Sequence, residues 1–189
     1  MGIIDKAGRA VGFVSALMLA ACTTQTQPPY ETHYTSSFIS VAEPGFQLRQ
    51  GDSFAWLGQP EIITDDSHNI APETLTHLRS RFEQNMRSQG FDMAASANGA
   101  DYLLSAAIIL GTPISEQELV EKFDIAPSLT SGAEYDAGTL VMRVISPGGM
   151  RTQWRGAIEI FTDPQQTSSE RQRRVDSAVD TFARHLQPK

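Results

Sequence analysis

The side chains able to do chemistry are few and scattered. The histidines are His33, His68, His77 and His185. Asp65-Asp66, His68 and His77 lie near one another in the chain, but neither His-x-His nor His-Glu-x-x-His spacing is present, and a solvated loop leading into a helix accounts for them better than a metal site. Nucleophilic hydrolysis lacks a Gly-x-Ser-x-Gly elbow. Carboxylates are plentiful, yet no pair is set apart by spacing, and a pair assembled by the fold does not show in a sequence. Pro147-Gly148-Gly149 lacks the Lys-Ser/Thr of a phosphate loop and suits a hairpin turn. No catalytic residue, metal or cofactor is expected, and the chain is read as non-enzymatic.

Cys22 is the one exception, because its neighbours are ordered around it. It is the only cysteine, which rules out an intramolecular disulfide. Before it come a short basic segment with Lys6 and Arg9, an apolar run from Val11, and the small residues Ala20 and Ala21. These are the parts of a secretory signal. The apolar run is well short of the roughly 20 residues a membrane-crossing helix needs. Leu19-Ala20-Ala21-Cys22 resembles the bacterial lipobox, which implies cleavage before Cys22, a thioether-linked diacylglycerol on its sulfur and an amide-linked chain on its new amine. Each buried methylene contributes about 0.8 kcal/mol, and two or more chains anchor stably. By the same resemblance, Thr23 rather than aspartate after the cysteine points to the periplasmic face of the outer membrane.

The elements that must hang from this anchor follow in order. Residues 1–21 are the expected signal segment and 22–35, rich in Thr, Gln and Pro, the acylated start and flexible tether, too poor in aliphatic residues to offset the entropy of ordering. Residues 36–189 are expected to form one globular domain. The whole chain carries a net charge of −7, and loss of Asp5, Lys6 and Arg9 with the signal makes the remainder slightly more acidic. That is a poor match for nucleic acid.

Ser36 to Val41 suits a short strand, Pro44-Gly45 a turn, Phe46 to Gln50 a second strand, and Ser53 to Leu57 a firmer one with Phe54 and Trp56 on one face. From Pro72 the period becomes helical, with Leu75, Leu78, Phe82 and Met86 on one stripe and Gly90 at the C′ position. Asp101 to Leu110 is apolar on both sides, as a central strand is. Residues 111–138 form an insertion with a capping box at Ser115-Glu116-Gln117-Glu118 ahead of Leu119, Val120 and Phe123, then a loose, mobile Pro/Ser/Gly stretch. Thr139 to Ser146 and Met150 to Phe161 form a hairpin. A last helix is capped at Thr167-Ser168-Ser169-Glu170 and buries Val175, Ala178, Val179, Phe182 and Leu186. The fold class is α+β: a mostly antiparallel sheet of about four to six strands with two helices packed on one face.

Alternation then assigns faces. Leu140, Met142, Val144, Trp154, Ile158 and Ile160 should lie under the helices. The opposite face carries Leu103, Ala107, Ile109, Val141 and Ile145 beside Arg143 and Arg155. Two readings of that half-apolar face stand equally: use by a partner, or covering by the insertion. Arg171, Arg173 and Arg174 cluster at the start of the last helix, where the macrodipole disfavours cations. They are a second candidate contact surface for an anionic partner, set against the plainer reading of a solvated face paired with Glu170, Asp163 and Asp176.

The succession Ser53-Phe54-Ala55-Trp56, Gln89-Gly90-Phe91, Ala100-Asp101-Tyr102-Leu103-Leu104, Gly138-Thr139-Leu140 and Trp154-Arg155-Gly156 resembles that of bacterial lipoproteins grouped as domain of unknown function 4136. The similarity runs from about Phe46 to Leu186. It implies a fold and an envelope location, and brings no catalytic residue with it. The expected function is a lipid-anchored accessory domain, held to the membrane through Cys22 and acting through an envelope protein partner. The alternative is a lipid or small-molecule binding module using a cavity between sheet and insertion.

Overall fold

The apolar run ending at Leu110 becomes the central strand of a seven-stranded sheet in this computed structural model, which describes residues 37–64, 71–111, 115–124, 137–161 and 167–189. These residues all belong to one compact unit, Tyr34–Lys189. The expectations for the signal segment, Cys22, the tether, His33, Asp65-Asp66, His68, Asp163 and much of the insertion lie outside the described residues.

The elements in chain order are β1 (Phe38–Ala42), β2 (Ser53–Trp56), β3 (Glu61–Thr64), α1 (Glu73–Ser88), β4 (Asp92–Met93), β5 (Tyr102–Leu110), α2 (Glu116–Phe123), β6 (Ala137–Ser146), β7 (Arg151–Phe161) and α3 (Ser168–His185). The strand order is β1-β7-β6-β5-β2-β4, with β3 also beside β5. β1, β7, β6 and β5 are antiparallel neighbours. The other strands are parallel: β2 lies beside the first part of β5, β3 beside its second part, and β4 beside β2. The sheet is therefore mixed and larger than expected, and α1 provides the crossover that parallel pairing needs.

The second expected strand, Phe46 to Gln50, is absent. After the Pro44-Gly45 turn, the Arg49 N–H donates to Asp52 Oδ2 at 2.7 Å and Gly51 takes φ +86°, so the chain turns again. Leu48 still reaches the core from this loop.

The two long helices cover one face, here called inner. Leu78, Phe82 and Met86 of α1 and Val175, Ala178, Val179 and Phe182 of α3 are buried against Phe54, Trp56, Leu104, Leu140, Met142, Val144, Trp154 and Ile158, as the alternation predicts. α3 opens with a full capping box between Thr167 and Glu170. α1 ends in a Schellman turn: the Gly90 N–H donates to Arg87 O and the Phe91 N–H to Met86 O, both at 3.1 Å, with Gly90 at φ +89°. A glycine is also needed at 156, where an added Cβ would sit 2.7 Å from the Trp154 ring and 2.9 Å from that of Phe182.

Above the core, α1 and α3 are joined by a polar seam. Arg81 donates to Asp180 through Nε and Nη2 at 3.0 and 2.9 Å, Asn85 adds a bond of 2.7 Å, and His77 Nε2 lies 2.6 Å from Asp176 Oδ1. The Arg81 hydrogen bond holds the Asp180 carboxyl below the usual carboxylate range.

Candidate interaction surface

Strand register lays out the outer face in rows. Ala107, Val141, Ala157 and Ile39 stand side by side across β5, β6, β7 and β1; the next row is Ser105, Arg143, Arg155 and Val41; the next begins with Leu103, Ile145 and Thr152. Two expected contact arginines, Arg143 and Arg155, are thus direct cross-strand neighbours, a like-charge pairing that costs stability unless neutralised.

The short helix α2 supplies both neutralisation and cover. Its capping box between Ser115 and Glu118 forms as the sequence predicts. Phe123, at its last residue, is buried against Ala107, Ile109, Val141 and Ala157. The next residue, Asp124, accepts from Arg155 Nη1 at 2.8 Å, with Glu43 at 4.0 Å on the same nitrogen. On the other side Lys122 reaches Glu61 at 2.9 Å. The Arg143 guanidinium lies 5.9 Å from the Phe123 ring centre, with its Nε buried and without a hydrogen bond. Burial lowers its pKa, and Asp124 partly opposes that.

Of the expected contact residues, Leu103, Ile109, Val141 and Ile145 are all buried. Of the two readings of this face, covering by the insertion is the one observed over Ile109 and Val141. Leu103 and Ile145 form a separate small cluster with Ala55 and Ala100. On α3, Arg171 and Arg173 are exposed and Arg174 is half-buried. Asp176, expected to pair with these arginines, faces His77 instead.

Leu57, Val120 and Met150 are exposed singly, whereas two exposed apolar side chains stand together at the end of these rows. Ile39 is 39% and Val41 45% exposed, both on the outer side of β1, the edge strand. On its inner side Phe38 packs edge-on against Phe182, ring centres 5.4 Å apart. Sequence reasoning found the strand but did not single out its edge. The usable signal is Phe-Ile-Ser-Val-Ala itself, which has none of the charges or prolines that blunt natural edges.

An open cleft of about 550 Å³ lies where Phe46, Arg49, Asp52, Asp101, Tyr102 and Gln153 meet. Its polar groups serve the fold: Asp101 Oδ2 accepts from the Ser53 hydroxyl at 2.6 Å and N–H at 2.9 Å, which depresses its pKa. Burial, then Asp52 and Asp101, pushes the Tyr102 phenol up. Among the described residues no group of three His, Cys, Asp or Glu side chains gathers, and no helix is long and apolar enough to cross a membrane.

No family model matches the chain, and no curated protein matches it in sequence. Solved structures do match in fold. A DUF4136 family protein from Bacteroides thetaiotaomicron aligns with a TM-score of 0.52 at 14% identity, covering 82% of this chain and 98% of that one. PelC from Paraburkholderia phytofirmans, solved as a dodecamer, aligns with a TM-score of 0.50 at 15% identity, covering 82% of this chain and all of the other. The family resemblance expected from the motifs thus stands at the level of fold.

Proposed function

We propose that this chain is a lipid-anchored accessory protein of the bacterial cell envelope, acting without catalysis through contact with another protein. The observation that carries the reading is the exposed apolar edge of β1, which the chain enters soon after Cys22. An unprotected edge strand is a template for another strand. The Leu19-Ala20-Ala21-Cys22 motif supports anchoring, with Thr23 favouring the periplasmic face of the outer membrane. The fold shared with a DUF4136 family protein is in keeping with both. The small-ligand alternative draws less support, since Phe123 fills the space between α2 and the sheet.

A second reading is that the contacted protein is this chain itself. It is favoured by the fold shared with PelC, whose structure is a dodecamer. The test of anchoring is Cys22→Ala, which should move the chain from the membrane to the soluble fraction; unchanged fractionation with outer membranes would refute the lipid anchor. The test of contact is photo-crosslinking in cells from Ile39, Val41 and Arg173. A recurrent protein adduct from the two β1 positions supports the reading, and adducts of lipid or glycan alone overturn it.

A further inference from the structure

We infer that β1 is a self-pairing edge: two copies of this chain join antiparallel along Phe38–Ala42, with Ser40 facing Ser40 of the second copy. This rests on the proposed role as a tethered protein that meets other proteins, and names the partner.

The backbone sets which groups are free. The Glu43 N–H donates to Gln153 O at 2.8 Å and the Glu159 N–H to Ser37 O at 3.0 Å. Odd-numbered residues of this segment therefore point their backbone groups at β7, and the N–H and C=O of Phe38, Ser40 and Ala42 point away from it. Pro44, the next even position, has no N–H to give, so the usable edge ends at Ala42.

Centring two such edges on Ser40 satisfies each copy with the other. Ser40 pairs with Ser40, and Phe38 with Ala42 of the second copy, as hydrogen-bonded pairs. Ile39 then meets Val41 as a close, non-hydrogen-bonded pair of β-branched side chains, which suits strand pairing. Charge agrees with this register. The five residues are uncharged, and Glu43 of each copy falls opposite Ser37, so no like charges meet. Registers shifted towards the C-terminal end bring the two Glu43 carboxylates together. The opposite edge of the sheet is a poor rival, since it is divided between β4, only Asp92–Met93, and β3, four residues that open with Glu61, already paired to Lys122. Both copies would be confined to one membrane, where a raised effective concentration lets a short edge suffice.

The test uses the full chain in its own membranes. With Cys22 taken by lipid, Ser40→Cys leaves one free thiol, and facing Cα atoms about 5.5 Å apart lie within disulfide range. Mild oxidation should give a reducible species of twice the mass. Glu43→Cys should give none, because the two residues stand about 20 Å apart in this register. Ile39→Lys with Val41→Lys should cut the Ser40→Cys product about tenfold, and Ile39→Lys with Val41→Glu should restore it, because position 39 faces position 41 of the second copy. A membrane-bound Ser40→Cys chain that stays monomeric, equal products from both thiols, or an adduct of some other mass overturns the pairing. Failure of the anchor is seen separately, as chain in the soluble fraction; there the same two thiols, on a Cys22→Ser background, decide the pairing in solution.

Discussion

On its inner face the sheet meets two long helices through Phe54, Trp56, Phe82, Trp154 and Phe182, whereas on its outer face α2 is held by Phe123 and two flanking ion pairs. The difference is one of redundancy. Phe182 touches the rings of both Phe38 and Trp154, and its helix is also bonded to α1 through Asp180 and Asp176. Phe123 has no aromatic neighbour among the described residues, and the Lys122–Glu61 pair beside it is more than half exposed. Surface pairs of that kind contribute little. Unfolding of the inner layer is expected to be global, and that of α2 local.

Substitutions rank accordingly. Phe182→Ala should cost about 3–5 kcal/mol in urea unfolding, since a fully buried ring is lost and Gly156 leaves no side chain to fill the hole. Phe123→Ala should cost less globally, about 2 kcal/mol, while amide exchange in α2 quickens well before that of β6 and β7. Equal losses from the two would erase the distinction between the faces. Thr167→Ala removes the cap of α3 and should lower stability by about 1 kcal/mol; Ser115→Ala removes the same motif from α2 and should speed exchange there with almost no change in melting temperature.

The polar seam between α1 and α3 carries a pH signature. Asp180 has its folded pKa depressed, so its contribution is present above the unfolded value near pH 4 and is lost as pH falls through the folded one. Asp180 is about one-third exposed, so Asp180→Asn should cost only about 0.5–1 kcal/mol at pH 7. The difference from the parent should shrink in thermal melts below pH 4.

The parts of this architecture that show in the sequence are those set by local period. The stripes of α1 and α3, both capping boxes and the Pro147-Gly148-Gly149 hairpin follow from neighbours a few residues apart. β3 does not: Glu61-Ile62-Ile63-Thr64 is too short to alternate, and becomes a strand because β5 offers Ala107 to Leu110 beside it. Parallel pairing of β2 and β4 is likewise a long-range outcome. The outer-face residues were legible as a set, since alternation puts them together. Their burial was not, because it depends on where Phe123 lands. The β1 edge went unmarked for a related reason: a strand's position in the sheet is topology, and topology is not local.

That position also bears on the order in which the molecule is made. Among the described strands β1 is the first to be synthesised, yet its neighbour is β7, with Val41 waiting for Arg155 and Ala42 for Trp154. Until the final hairpin exists, both sides of β1 stand open, and a pairing between such distant residues is slow to find. The apolar Phe-Ile-Ser-Val-Ala segment is therefore most exposed to capture while the chain is incomplete, and a holding factor acting on the unfinished chain would have its natural target there.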